Sequence, residues 1–484
     1  KSSDVLFPEI PCSYTADWDS RGAYEACVEQ AINGLVSAHV LSDGSASKFE
    51  HSALRAYDDL HSDDAEATEL RELAASHGVT PIPPAPHVRK ELVELGRALM
   101  FDKVLSGNLN ISCMTCHPAQ LGTDDDRHLS RGEGGFGVGK DRFGGPLHVR
   151  NAQPLFNLHE MSNHSVFWSS RIRLLPDGTF DSEAEEDITP EMYDTFEFGV
   201  VSALGLFPVA SPTEMLGEFG TNPVANLGIN PDNVLPQIWA ALMARLGAIP
   251  EYRAMFEAAY PGQSFDDMNF GHATNAMAGF MISEFESRES PWQQFLRGDD
   301  TALSYRQMRG AKAFFNNGCV NCHSGPMLSD FDHHDTGLPQ IGPSKDDPAD
   351  QQDFGPREDR GFELVSGDPA DRYKFRTAPL NNIGLTAPYG HAGQFARIED
   401  FVNHYDDPVN ALLNYNIVEA VDDPLLWAGP FGDPNDILGH LDPLTQVDVV
   451  PEIFDFLKAL DDPDARTLEH TIPPRVPSGL PIHD

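Results

Sequence analysis

Two stretches of this chain repeat apolar residues at helical spacing: Leu92, Leu95 and Leu99 in one, Met308, Ala311 and Phe315 in the other. Residues three or four apart share one helix face, so each stretch predicts an amphipathic helix with a core-facing stripe. The two also share wording, Gly96-Arg-Ala-Leu-Met-Phe101 against Gly310-Ala-Lys-Ala-Phe-Phe315, which reads as a diverged duplication. Residues 230–300 are again helical in pattern. Residues 1–80 are acidic and helix-prone, and they end in Pro81-Ile-Pro-Pro-Ala-Pro86, which cannot continue a helix and reads as a linker. Three blocks follow: an N-terminal helical extension with its Pro-rich linker over 1–86, a first domain over 87–300 and a second over 301–484. The apolar run from Ile238 to Leu246 is interrupted by Arg245. It falls well short of the ~18 residues that a membrane span needs.

The balance of 33 Lys and Arg against 75 Asp and Glu gives a formal charge of -42. Such a charge repels phosphate backbones and anionic lipid, which excludes nucleic acid as a partner. A solvated surface suited to a salty medium accounts for it better than a dedicated docking face.

The chemistry lies in the cysteines. Four of the six form Cys113-Met-Thr-Cys116-His117 and Cys319-Val-Asn-Cys322-His323. Two thiols at this spacing bond the two vinyl groups of one porphyrin, and the adjacent imidazole reaches the iron as proximal ligand. The alternatives are a four-cysteine zinc site or two redox dithiols. With 19 His in the chain, His stands at a given position about once in 25, so two chance occurrences come to roughly one in 650. Two covalent haem c groups, two cytochrome c-like lobes and a mainly α fold are therefore expected, with long ordered loops where Gly and Pro concentrate.

Haem attachment of this kind takes place outside the cytoplasm in bacteria. The chain begins at Lys1 without an apolar leader, so a removed signal peptide and a periplasmic or cell-surface location are expected. In that compartment Cys12 and Cys27 are expected to form a disulfide worth ~3 kcal/mol, with two free thiols as the alternative.

Between and around the motifs stand Leu95-Gly-Arg-Ala-Leu-Met-Phe-Asp102, Arg150-Asn151-Ala-Gln-Pro-Leu-Phe-Asn157, Phe167-Trp168, Leu206-Phe-Pro-Val-Ala-Ser-Pro-Thr-Glu-Met215, Phe375-Arg-Thr-Ala-Pro-Leu380 and Leu385-Thr-Ala-Pro-Tyr-Gly-His-Ala-Gly393. In these phrases the sequence resembles the bacterial diheme cytochrome c peroxidase family, including its MauG-type branch, which oxidises amino-acid side chains of partner proteins. The resemblance covers about residues 88 to 460.

It implies that His117 is the proximal ligand of a high-spin haem where peroxide binds, and His323 that of the electron-transfer haem. Trp168 would lie between the haems, Glu214 would be the distal acid, and oxygens of Asn151, Thr386 and Pro388 would hold a calcium ion. Three departures stand out. Leu204 replaces the usual Gln of the distal pocket. The loop Gly134–Pro146 lacks the family's distal His, which leaves the first haem open, with His128 and His148 as candidate sixth ligands. Tyr405 replaces the usual Met ligand of the second iron, as in the MauG-type branch, with His404 as the competing ligand. A phenolate is a hard anionic donor that favours oxidised iron. The expected activity is oxidation by hydrogen peroxide of a small donor cytochrome or copper protein, or of a partner's aromatic side chain. A non-enzymatic diheme electron carrier is the alternative, and Leu204 is its best support.

Overall fold

A computed structural model describes residues 11–16, 18, 21–38, 40–61, 64–161, 164–229, 234–343, 358–466 and 468–482. The first ten residues of the expected extension lie outside the described residues.

The first predicted stripe is the helix Lys90–Phe101, which buries Leu92, Leu95 and Leu99. It packs against the helix Phe270–Glu284, whose residues from Phe270 to Ile282 are all buried. Their small side chains, Gly271, Ala273, Ala276, Ala278 and Gly279, let neighbouring segments approach on every side. The second stripe is the helix Tyr305–Asn316, started by a capping box in which Ser304 and Gln307 satisfy each other's backbone N–H. It buries Met308, Ala311 and Phe315 and packs on the helix Glu452–Lys458.

Strands are few and short. Gly135–Phe136 pairs with Phe143–Gly144, Ile172–Leu174 lies between Ser165–Val166 and Phe180–Ser182, and His333–His334 pairs with Phe375–Arg376, all antiparallel. The fold is mainly α, with haem motifs on short turns held by long loops.

In the extension, the Cys12–Cys27 disulfide and the stacked Tyr24 and Tyr57 rings hold a small core. The helix Asp64–Ser76 leaves that core and buries Leu70 and Ala74 with Trp292, Phe295 and Phe315 of the second lobe. Lys312 bridges to Glu66 at 3.2 Å and Glu69 at 3.0 Å. The linker is fixed as well, because the Ile82 N–H donates to Gln293 Oε1 at 2.9 Å.

Trp292 and Phe295 belong to the second core, and the chain's end returns to the first, where Ala465, Leu468 and Val476 are buried. The Asp102 carboxylate explains the return. It is fully buried just beyond a helix C-terminus, where a negative charge is unfavourable. Ser478 Oγ donates to it at 2.6 Å and Tyr252 OH at 2.7 Å, together with the Val104 N–H at 2.9 Å.

Candidate functional site

Each Cys-x-x-Cys-His motif opens onto its own cavity. Cys113, Cys116 and His117 line one of about 420 Å³, and Cys319, Cys322 and His323 line one of about 230 Å³. Protein interiors leave few voids larger than a water molecule, so cavities of this size above the motifs call for occupants.

The donor atoms fit haem c. Neither thiol pair is bridged. Burial pushes the Cys113 and Cys116 thiols up to about 12 and Cys319 up to about 11. Among the described residues no cluster brings the two cysteine pairs together, which removes the four-cysteine zinc site. The two histidines are built alike. His117 Nδ1 bonds the Thr123 carbonyl at 3.0 Å and His323 Nδ1 the Leu328 carbonyl at 2.9 Å. Burial lowers both rings' pKa and so favours their neutral form. A carbonyl on Nδ1 fixes the tautomer and leaves the Nε2 lone pair for a metal.

A single wall separates the cavities. Trp168, Asn151, Gln153, Leu155, Phe167 and Leu204 line both. Trp168 is held on two sides: its Nε1 donates to the Asn151 carbonyl at 2.9 Å, and its own carbonyl accepts the Arg376 N–H at 2.8 Å. Asn151, Thr386 and Pro388 all line the second cavity. Asn151 Nδ2 donates to the Arg127 carbonyl at 3.1 Å, which turns Oδ1 the other way.

On the first haem's side, Glu214 and His148 line the cavity, and His148 Nε2 sits against Glu214 Oε1. His148 Nδ1 donates to the Arg150 carbonyl at 2.9 Å. The loop Gly134–Pro146 carries no His, but the cavity is not without one. His128 is spent elsewhere: it is buried, with Nδ1 on the Gly393 carbonyl and Nε2 2.7 Å from Asp422. The apolar Leu204 side chain faces the same space.

On the second haem's side, Tyr405 lines the cavity with His323, whereas His404 does not. His404 Nε2 donates instead to the Thr336 carbonyl at 2.8 Å. Adjacent positions on one helix end point apart, and Tyr405 alone meets the cavity.

Sequence reasoning missed the bond between His148 and Glu214, and it also missed two buried arginines. Arg150 pairs bidentately with Asp359 at 2.6 and 2.8 Å, both side chains 6% exposed. Arg376 lines the second cavity. The signal available for both was their place in the quoted phrases, beside Asn151 and beside Phe375.

The family model for di-haem cytochrome c peroxidase matches residues 90–301. Cytochrome-c peroxidase IdrP2 of Pseudomonas sp. (strain SCT) is 28% identical over 342 residues, 68% of this chain and 76% of that protein. Methylamine utilization protein MauG of Methylorubrum extorquens is 28% identical over 326 residues, 67% of this chain and 71% of that protein. A crystal structure of a MauG-like protein associated with microbial copper homeostasis has a TM-score of 0.54 at 24% identity, over 80% of this chain and 95% of that one, a likeness of fold. Matching the family model over residues 90–301, and 28% identical to named members over about two thirds of its length, the chain is similar to the di-haem cytochrome c peroxidases, oxidoreductases that act on peroxide and carry two haem c groups.

Proposed function

We propose that the protein is an exported, MauG-like peroxidase whose second iron is ligated by Tyr405. It would use hydrogen peroxide to oxidise a donor cytochrome or copper protein, or an aromatic side chain of a partner protein. The observation that carries this reading is Tyr405 in the wall of the second cavity with His404 tied to Thr336.

Haem c, held by Cys113, Cys116 and His117 and by Cys319, Cys322 and His323, supplies peroxide cleavage and storage of oxidising equivalents. His148 Nε2 and Glu214 Oε1 face each other closely enough for one proton to bridge them. With haem c in the cavity, Glu214 Oε1 or His148 Nε2 would accept a proton from peroxide and return it to the leaving oxygen. Trp168, which lines both cavities, would pass oxidising equivalents from one side to the other. Asn151, Thr386 and Pro388 offer the oxygen donors that calcium takes. The Cys12–Cys27 bond suits an oxidising compartment and so supports export.

The second reading, a non-enzymatic electron carrier, is favoured by Leu204, which puts an apolar group where charge develops during peroxide cleavage. Peroxide turnover with a dye donor separates the two. The oxidised spectrum should show one five-coordinate high-spin and one low-spin haem without a near-infrared sulfur-to-iron band. Absence of turnover favours the carrier, and a sulfur band removes Tyr405 from the iron.

A further inference from the structure

Arg376 is a buried cation to which the described residues provide no anion. It is 2% exposed, on the strand Phe375–Arg376, and it lines the second cavity. Its Nε donates to the Phe167 carbonyl at 3.0 Å, and its Nη2 reaches Gln153 Oε1 only at 3.5 Å. Nη1 is buried with no partner. The guanidinium carbon lies 5.7 Å over the Phe331 ring. The titratable groups that feel its charge are the imidazoles of His164 and His333, which burial holds toward their neutral forms. Among the described residues no carboxylate pairs with it, and burial alone lowers it to about 10.

Arg150 shows what a satisfied arginine looks like in this fold. It is buried to a similar degree, but it has Asp359 in a bidentate pair and Ser169 Oγ at 2.7 Å. A guanidinium presents a planar fork of donors that matches a carboxylate, and an unpaired buried charge is strongly disfavoured. The missing anion therefore belongs to whatever fills the cavity.

We propose that Arg376 anchors a carboxylate of the second cavity's occupant, a haem propionate, and so fixes that edge of the haem beside Phe167 and Trp168. This rests on the second cavity holding haem c and is independent of the peroxidase reading and of Tyr405. A paired propionate stays ionised across neutral pH, whereas an unpaired one in an apolar cavity gains a proton as the pH falls.

The test is a redox titration of the second haem from pH 5 to 8 in the holoprotein, for wild type, Arg376→Lys and Arg376→Met. A stain of the denatured chain confirms two haems in each. Arg376→Met should couple reduction to proton uptake, shifting the reduction equilibrium by up to tenfold per pH unit more than wild type does, and Arg376→Lys should follow wild type. A methionine variant with the wild-type profile overturns the proposal. So does a wild-type reduction equilibrium that responds to chloride at fixed ionic strength, since the arginine would then hold a free anion. Should the methionine variant fail to fold, the propionate bending modes in resonance Raman spectra of wild type and Arg376→Lys decide. One mode of the second haem should shift, and identical spectra overturn the assignment.

Discussion

Gly96 and Gly310 occupy the same place in the two lobes: each is the point where the helix ahead of a haem motif touches another backbone. A Cβ on Gly96 would lie 2.0 Å from the Ala276 carbonyl oxygen, and one on Gly310 1.9 Å from that of Glu452. Replacing either by Ala would gain ~1 kcal/mol of helix propensity. Forcing two backbones apart costs about 1–3 kcal/mol, and rigid carbonyls put the cost at the upper end. Gly96→Ala and Gly310→Ala should each lower stability in denaturant titration while the chain keeps two haems. A gain in stability at either position would show that the helices separate freely.

Glu214→Gln should leave both haem spectra intact and slow peroxide cleavage by about 10²- to 10⁴-fold, the usual worth of a positioned acid or base. If the proton is shared, His148→Phe should fall in the same range, and the double variant should be little slower than either single one. Stopped-flow mixing with peroxide measures all three, and fully additive losses would separate the two residues.

Tyr405→His should keep the second haem six-coordinate, because a neutral imidazole can take the phenol's place, while changing that haem's spectrum and suppressing oxidation of partner side chains. Peroxide binding at the first haem should persist. An unaltered second-haem spectrum with full activity would leave Tyr405 as packing alone.

Asp359 gives a pH signature. Burial opposes its charge, but the Arg150 guanidinium overrides burial and holds the carboxyl at about 2, below the ordinary 3.8. A depressed carboxyl stabilises the fold above its unfolded value, so this contribution is present at pH 7 and is lost as pH falls from about 4 toward 2. Asp359→Asn leaves a buried unpaired guanidinium and should cost about 3–5 kcal/mol at pH 7. The gap between wild type and variant should narrow through that acid window when stability is measured by denaturation.

The parts of this molecule legible in the sequence are those whose chemistry is local. Both haem motifs and the stripes at Leu92 and Met308 need only a few neighbouring positions to declare themselves. His148 and Glu214 could not be paired that way, since the chain between them includes a three-stranded sheet and several turns. Arg150 and Asp359 lie 209 positions apart. The choice between His404 and Tyr405 turned on the direction of adjacent side chains at a helix end, which periodicity does not fix. The end of the chain showed no helical pattern, and its destination depended on a buried carboxylate at Asp102.

That destination bears on how the protein is made. Synthesis runs from N- to C-terminus, so the Cys113 and Cys116 thiols emerge long before Ser478. Until the last residues follow, Asp102 lacks one of its donors and the first core lacks Leu468 and Val476. The first lobe's core is therefore incomplete until that stretch arrives, and residues 465–478 act as the clasp that closes it.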